Sequence, residues 1–154
     1  MKKHIKYLMF LFVGMTITSC LKSDLEELPA FSDAEITNFR FEYRWIDSSQ
    51  DNNRLQVVQL DTETTIDTDN QKVTCTIAVP DANGDFPEEI RTQVSLAEIV
   101  GYADISTAAT LAPSNGAPAL GEIGDFSNSN MSYEVTAADG TKVVWSLTIS
   151  GFNK

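Results

Sequence analysis

Residues 131–150 read MSYEVTAADGTKVVWSLTIS, and the fold turns on this stretch. Tyr133 and Val135 alternate with polar neighbours, then Ala138-Asp139-Gly140-Thr141 intervenes. After it Val143, Trp145, Leu147 and Ile149 alternate again. Period two on both sides of an Asp-Gly pair is the strongest short-range signal for a β-hairpin. Gly140 supplies the positive φ the turn needs, and the Asp139 carboxylate can bond its own backbone two residues on. The expected strands are Met131–Ala137 and Lys142–Ser150, with Tyr133 and Val135 facing the apolar row of the second strand.

The same period recurs upstream. In Ile36–Trp45 the odd positions Phe39, Phe41, Tyr43 and Trp45 are aromatic, and Asn38, Arg40, Glu42 and Arg44 separate them. That is a half-buried strand. Arg54–Leu60 is a weaker strand candidate. Gln71–Val79 is a stronger one, with Val73, Cys75, Ile77 and Val79 on one face. Asp104–Leu111 reads as a modest strand. The segments DSSQDNN (47–53) and PDANGDFP (80–87) carry turn chemistry. Ser95-Leu96-Ala97-Glu98 fits a capping box, which predicts a helical turn or two over Leu96–Val100. About seven strands, one short helix and no internal repeat predict an all-β domain, an antiparallel β-sandwich, over residues 35–154.

The first nineteen residues differ in kind. Lys2, Lys3 and Lys6 precede an uncharged run, Tyr7–Thr16. Ten helical residues rise about 15 Å, half of a hydrocarbon core of roughly 30 Å, so the run fits an export signal better than a membrane span. Ile17-Thr18-Ser19-Cys20 resembles the bacterial lipobox, which implies cleavage before Cys20 and lipidation of its thiol. Each buried CH₂ contributes about 0.8 kcal/mol, and several acyl chains hold a protein almost permanently. Residues 20–34, polar with Pro29, read as a tether; extended, they reach roughly 45–50 Å. Lys22-Ser23-Asp24-Leu25-Glu26-Glu27 resembles the acidic export tag of Bacteroidetes surface lipoproteins, which implies the outer membrane and its outward-facing leaflet.

Composition excludes several functions. Cleavage would leave all 22 acidic residues but only 8 of the 11 basic ones, a formal charge of −14. Such a surface repels phosphate backbones, so nucleic acid is not an expected partner. The single histidine, His4, departs with the signal. No imidazole base, Ser-His-Asp or Cys-His pair remains, and no histidine metal ligand. Lipidated Cys20 leaves Cys75 alone, too few thiols for a disulfide or a thiolate zinc site. No catalytic residue, cofactor or metal is therefore expected, and the chain does not read as an enzyme.

From Pro113-Ser114-Asn115-Gly116 through Gly124-Asp125-Phe126-Ser127 to Tyr133–Thr141 and Trp145–Ile149, the order of motifs resembles a DUF5018-like immunoglobulin-like module. That module recurs in Bacteroidetes surface lipoproteins. The resemblance spans about residues 35–151, with Ile36-Thr37-Asn38-Phe39 as the opening strand. It implies that Asp125 and Ser127 cap a turn and that Phe126 anchors it. It also implies the setting of a glycan-utilisation locus. The expectation is a non-catalytic outer-membrane lipoprotein that binds glycan or assists an outer-membrane transporter complex in polysaccharide uptake. The alternative is a structural or adhesion module whose partner is protein.

A sugar could stack on Trp45, Tyr43, Tyr102 or Trp145, although aromatics alternating on a strand ordinarily pack against the facing sheet. Two acidic patches, Asp61/Glu63/Asp67/Asp69 and Asp81/Asn83/Asp85 with Glu88 or Glu89, carry oxygen ligands of the kind calcium takes. They lack EF-hand spacing and read as solvated loops. Cys75, on the apolar face of its strand, reads as a small core residue.

Overall fold

The computed structural model describes residues 30–48 and 53–154. Among them are eight strands: β1 Ile36–Asp47, β2 Arg54–Asp67, β3 Lys72–Ala78, β4 Ile99–Ile105, β5 Thr110–Ser114, β6 Ile123–Gly124, β7 Met131–Thr136 and β8 Lys142–Asn153. They hydrogen-bond in the order β5-β7-β8-β3-β2-β1-β4-β6. β2 joins the two halves. Its first part pairs with β1, from Asp47↔Arg54 to Phe41↔Leu60. Its second part pairs with β3, from Asp61↔Ala78 to Asp67↔Lys72. The sheet thus curls over at Leu60–Asp61 into a sandwich-like, all-β fold. Phe39 lies just past the last β1–β2 partner pair, and Thr64 Oγ1 donates to its carbonyl at 2.6 Å, so the parting of the strands leaves that oxygen bonded.

The hairpin of residues 131–150 forms as expected, with Tyr133↔Trp145 and Val135↔Val143. Gly140 has φ +91°, and the Asp139 carboxylate accepts from the Thr141 amide at 2.8 Å. The aromatics of β1 do face inward. Phe39 lies 5.2 Å from Phe41 and 5.8 Å from Tyr133, and Phe126 meets Phe41 edge-on at 5.1 Å. Burying such a side chain contributes about 1.5–3 kcal/mol. Cys75 is fully buried and unpaired, with burial raising its thiol pKa. Asp125 caps as expected, its carboxylate accepting from the Ser127 amide at 2.9 Å.

Four expectations need correction. The fold is not wholly antiparallel: β3 and β8 run parallel, from Lys72↔Ser146 to Ala78↔Asn153. Alternation is the same in either direction, so period two carries no information on strand sense. The strand expected at Asp104–Leu111 is two strands, because Ala108 adopts φ +61° and the Ala109 amide bonds Ser106 O, turning the chain between β4 and β5. No Gly or Pro marks that turn. The helix expected at Leu96–Val100 is only a 3-10 turn, Leu96–Glu98, and the Ser95 side chain caps nothing before the chain extends into β4. The helical turn α1 lies instead at Glu88–Arg91, where Arg91 Nε donates to Pro80 O and closes the β3–β4 loop. Finally, the acidic stretch after Leu60 continues β2. Its inward side chains are Thr62, Thr64 and Ile66, and the threonines hide the alternation.

Residues 30–34, within the expected tether, touch the domain. Ala34 is buried, its carbonyl accepts the Trp145 indole N–H at 3.0 Å, and Phe31 O accepts from the Asp139 amide. Among the described residues no helix is long and apolar enough to cross a membrane.

Candidate functional site

Where β1 and β2 reach their hairpin end, the β3–β4 loop crosses toward them. Between them lies a groove of about 590 Å³, within the range of roughly 300–1,000 Å³ usual for small-molecule sites. Trp45 lines it, the last aromatic of the β1 row. Its ring stacks on Tyr43 at 6.2 Å, nearly parallel, and packs against Phe86 at 5.6 Å. Phe86 is held by Asn83, whose side-chain oxygen accepts from the Asp85 and Phe86 amides at 2.9 and 3.1 Å. The Asx turn thus fixes the loop that forms the far wall. Asp47, Arg54 and Gln56 come from the hairpin, and Asp85 and Glu89 from the loop. One aromatic edge among side chains that both donate and accept suits a polyhydroxylated ligand.

A second polar cluster lies on the opposite face of the same sheet. Glu42 is buried there although it falls on the outward side of β1. Its carboxylate accepts from Arg44 Nε at 2.7 Å, Tyr102 OH at 2.8 Å and Gln59 Nε2 at 2.8 Å. Arg44 also donates to the Tyr102 oxygen and, at 3.2 Å, to Gly121 O. The loop before β6 is held on that face in this way. Arg40 lies over the Tyr102 ring, 5.5 Å from its centre, and donates to both Asp104 oxygens at 2.7 and 2.9 Å. The desolvation of Glu42 raises its pKa, but the bonds from Tyr102, Arg44 and Gln59 outweigh it and the net shift is downward.

A folded-state pKa below the ordinary value means that ionisation of Glu42 stabilises the fold. That contribution is complete above the usual value of 4.5 and fades as pH falls through the depressed one. Glu42→Gln should therefore lower stability at neutral pH by about 1–3 kcal/mol, since one bond to a charged acceptor weakens and amide faces amide at Gln59. Urea unfolding at neutral and acid pH checks this: acidification should narrow the gap between variant and wild type. A constant gap would contradict it.

The sugar-stacking candidates do not assemble. Trp45 and Tyr43 adjoin, but Tyr43 is buried behind Trp45. Trp145 is only 2 % exposed, and its N–H is committed to Ala34 O, so it serves the core and offers no stacking face. Tyr102 belongs to the Glu42–Arg44 cluster on the other face. Cys20 lies outside the described residues. No group of His, Cys, Asp or Glu suited to a metal occurs among the described residues. In the first acidic patch Asp67 caps its own turn, accepting from the Asn70 amide and side chain, and these bonds lower its pKa. In the second, Asp85 and Glu89 line the groove. Sequence alone does not single out Arg54, Gln56 or Ile46; the signal it offers is that turn-rich 47–53 follows the aromatic strand β1 and turn-rich 80–87 follows β3.

The architecture is that of an all-β, sandwich-like module with a groove at one end. The DUF5018-related family model matches residues 36–148, and the chain belongs to the DUF5018-related family. It is similar to a protein of Bacteroides fragilis NCTC 9343, of known crystal structure and provisionally described as secreted. The two share 35 % identity over 82 % of this chain and 100 % of that one, with a TM-score of 0.73. No curated protein matches the chain.

Proposed function

We propose that this chain is a non-catalytic lipoprotein of the outer membrane, anchored through Cys20 and facing outward, whose groove at Trp45 holds glycan for a polysaccharide capture and uptake system. The observation that carries this reading is the groove itself, lined by Trp45 together with Arg54 and Gln56 of the hairpin and Asp85 and Glu89 of the β3–β4 loop. The similarity to a Bacteroides protein provisionally described as secreted supports an exported location. Affinity electrophoresis through neutral polysaccharides tests the binding. Trp45→Ala should weaken retention about tenfold, equivalent to roughly 1.4 kcal/mol, and Trp45→Tyr should retain part of it. Equal retention of Trp45→Ala and wild type would remove the groove from the reading. Cys20→Ser should move the protein from the detergent phase to the aqueous phase on Triton X-114 partition.

A second reading, a protein-binding module of the envelope, is favoured by one observation. Ile46, Leu55 and Val57 are 57, 60 and 47 % exposed. Ile46 pairs with Leu55, and Val57 sits opposite Arg44, so the three form a strip on the outer face of the hairpin. Stoichiometric recovery of one membrane protein with the wild type, lost in Leu55→Ser/Val57→Ser, would support it.

A further inference from the structure

We infer that the groove selects uncharged glycan segments and excludes anionic ones, a refinement that rests on the glycan reading above. The groove is unevenly charged. Asp47 and Arg54 are cross-strand partners, so their opposite charges lie side by side on the hairpin wall. On the facing wall Asp85 and Glu89 are both exposed and both acidic. Residues 81–89 also carry Asp81 and Glu88 and contain no lysine or arginine. Arg91, the next cation along, is turned away to Pro80 O and to Glu88. A uronate or sulfate entering between Trp45 and this loop would meet two uncompensated carboxylates, with the protein's own negative field behind them. A neutral pyranose meets no such penalty. Its hydroxyls can donate to Asp85 and Glu89 and accept from Gln56 and Arg54, while its apolar face lies along Trp45.

The test uses the full chain in detergent and pairs of polymers that share a backbone, one neutral and one anionic: dextran against dextran sulfate, and hydroxyethylcellulose against carboxymethylcellulose. Wild type, Trp45→Ala and the double variant Asp85→Asn/Glu89→Gln are run through each at low salt. Both acids of the double variant are exposed, so folding is not at stake, and circular dichroism confirms it. The expected result is retention by at least one neutral polymer, its loss in Trp45→Ala, and retention by the anionic counterpart at least about fivefold weaker. Removing both carboxylates should then raise retention by that counterpart roughly fivefold or more at low salt. Equal or stronger retention of wild type by the anionic partner overturns the charge selection and leaves the glycan reading standing. Neutral-only binding that the double variant leaves unchanged also overturns it, by placing the selection elsewhere. No retention by any polymer, in any variant, removes the glycan reading and this inference with it.

Discussion

Trp145→Ala lowers the unfolding free energy by about 3–5 kcal/mol, the cost of a large ring removed from a packed core. The site has little freedom to collapse. Trp145 on β8 is paired with Tyr133 on β7, and its indole N–H ties the lead-in to β1 at Ala34. The substitution also strips the Ala34 carbonyl of its 3.0 Å donor. Trp145→Phe separates the two effects, since it fills most of the volume but supplies no N–H. It should cost about 1–3 kcal/mol less than the alanine change, and what remains reports the unbonded carbonyl. Urea midpoints of the three proteins measure this. A loss below 1 kcal/mol for Trp145→Ala would show that the indole is not a core element.

The second large effect is expected at Gly101, where the smallest possible addition is enough. Gly101 pairs with Phe41 on β1 and faces inward. A Cβ placed there would lie 2.7 Å from Phe126 Cζ and 3.2 Å from Phe39 Cε1. A ring tip can sometimes swing aside, but Phe126 is pinned by its edge contact with Phe41 and by its own amide, bonded to Leu96 O at 2.7 Å. Gly101→Ala should therefore cost about 1–3 kcal/mol by overpacking. Gly101→Ala/Phe126→Leu, which opens room above the new methyl, should lose less than the two single changes added together. Strict additivity in thermal melts would contradict the contact.

What could be read in advance follows from which forces leave a trace in local order. The Asp139-Gly140 hairpin and the Phe39–Trp45 row were legible because turn chemistry and period-two burial are both local. The curl at Leu60–Asp61 was not, because it depends on β2 changing partners, and its inward threonines satisfy a carbonyl where an apolar side chain would have marked the face. Buried Glu42 was equally hidden. It occupies an outward position on β1, and only the arrival of Tyr102 and Gly121, some sixty and eighty positions on, closes it from solvent. For the groove, Trp45 was visible as an aromatic at a strand end. Its opposing wall was visible only as a polar loop, since no periodicity relates residues 85–89 to residues 45–56.

β1 enters the domain beside the N-terminal segment at Ile36 and leaves it at the groove, with Trp45 two residues from its end. Its first part, residues 36–42, is bonded to β4 and its second part, residues 41–47, to β2. A pull between the N-terminal segment and whatever Trp45 holds would act along this strand's axis, at right angles to ladder bonds that cross between strands. Because both ends of that pull lie on one strand, the load would run through the covalent backbone of β1, and the flanking ladders would only keep the strand straight and in register. β1 is thus a short tension member, carrying a load from one end of the domain to the other without having to open the sheet.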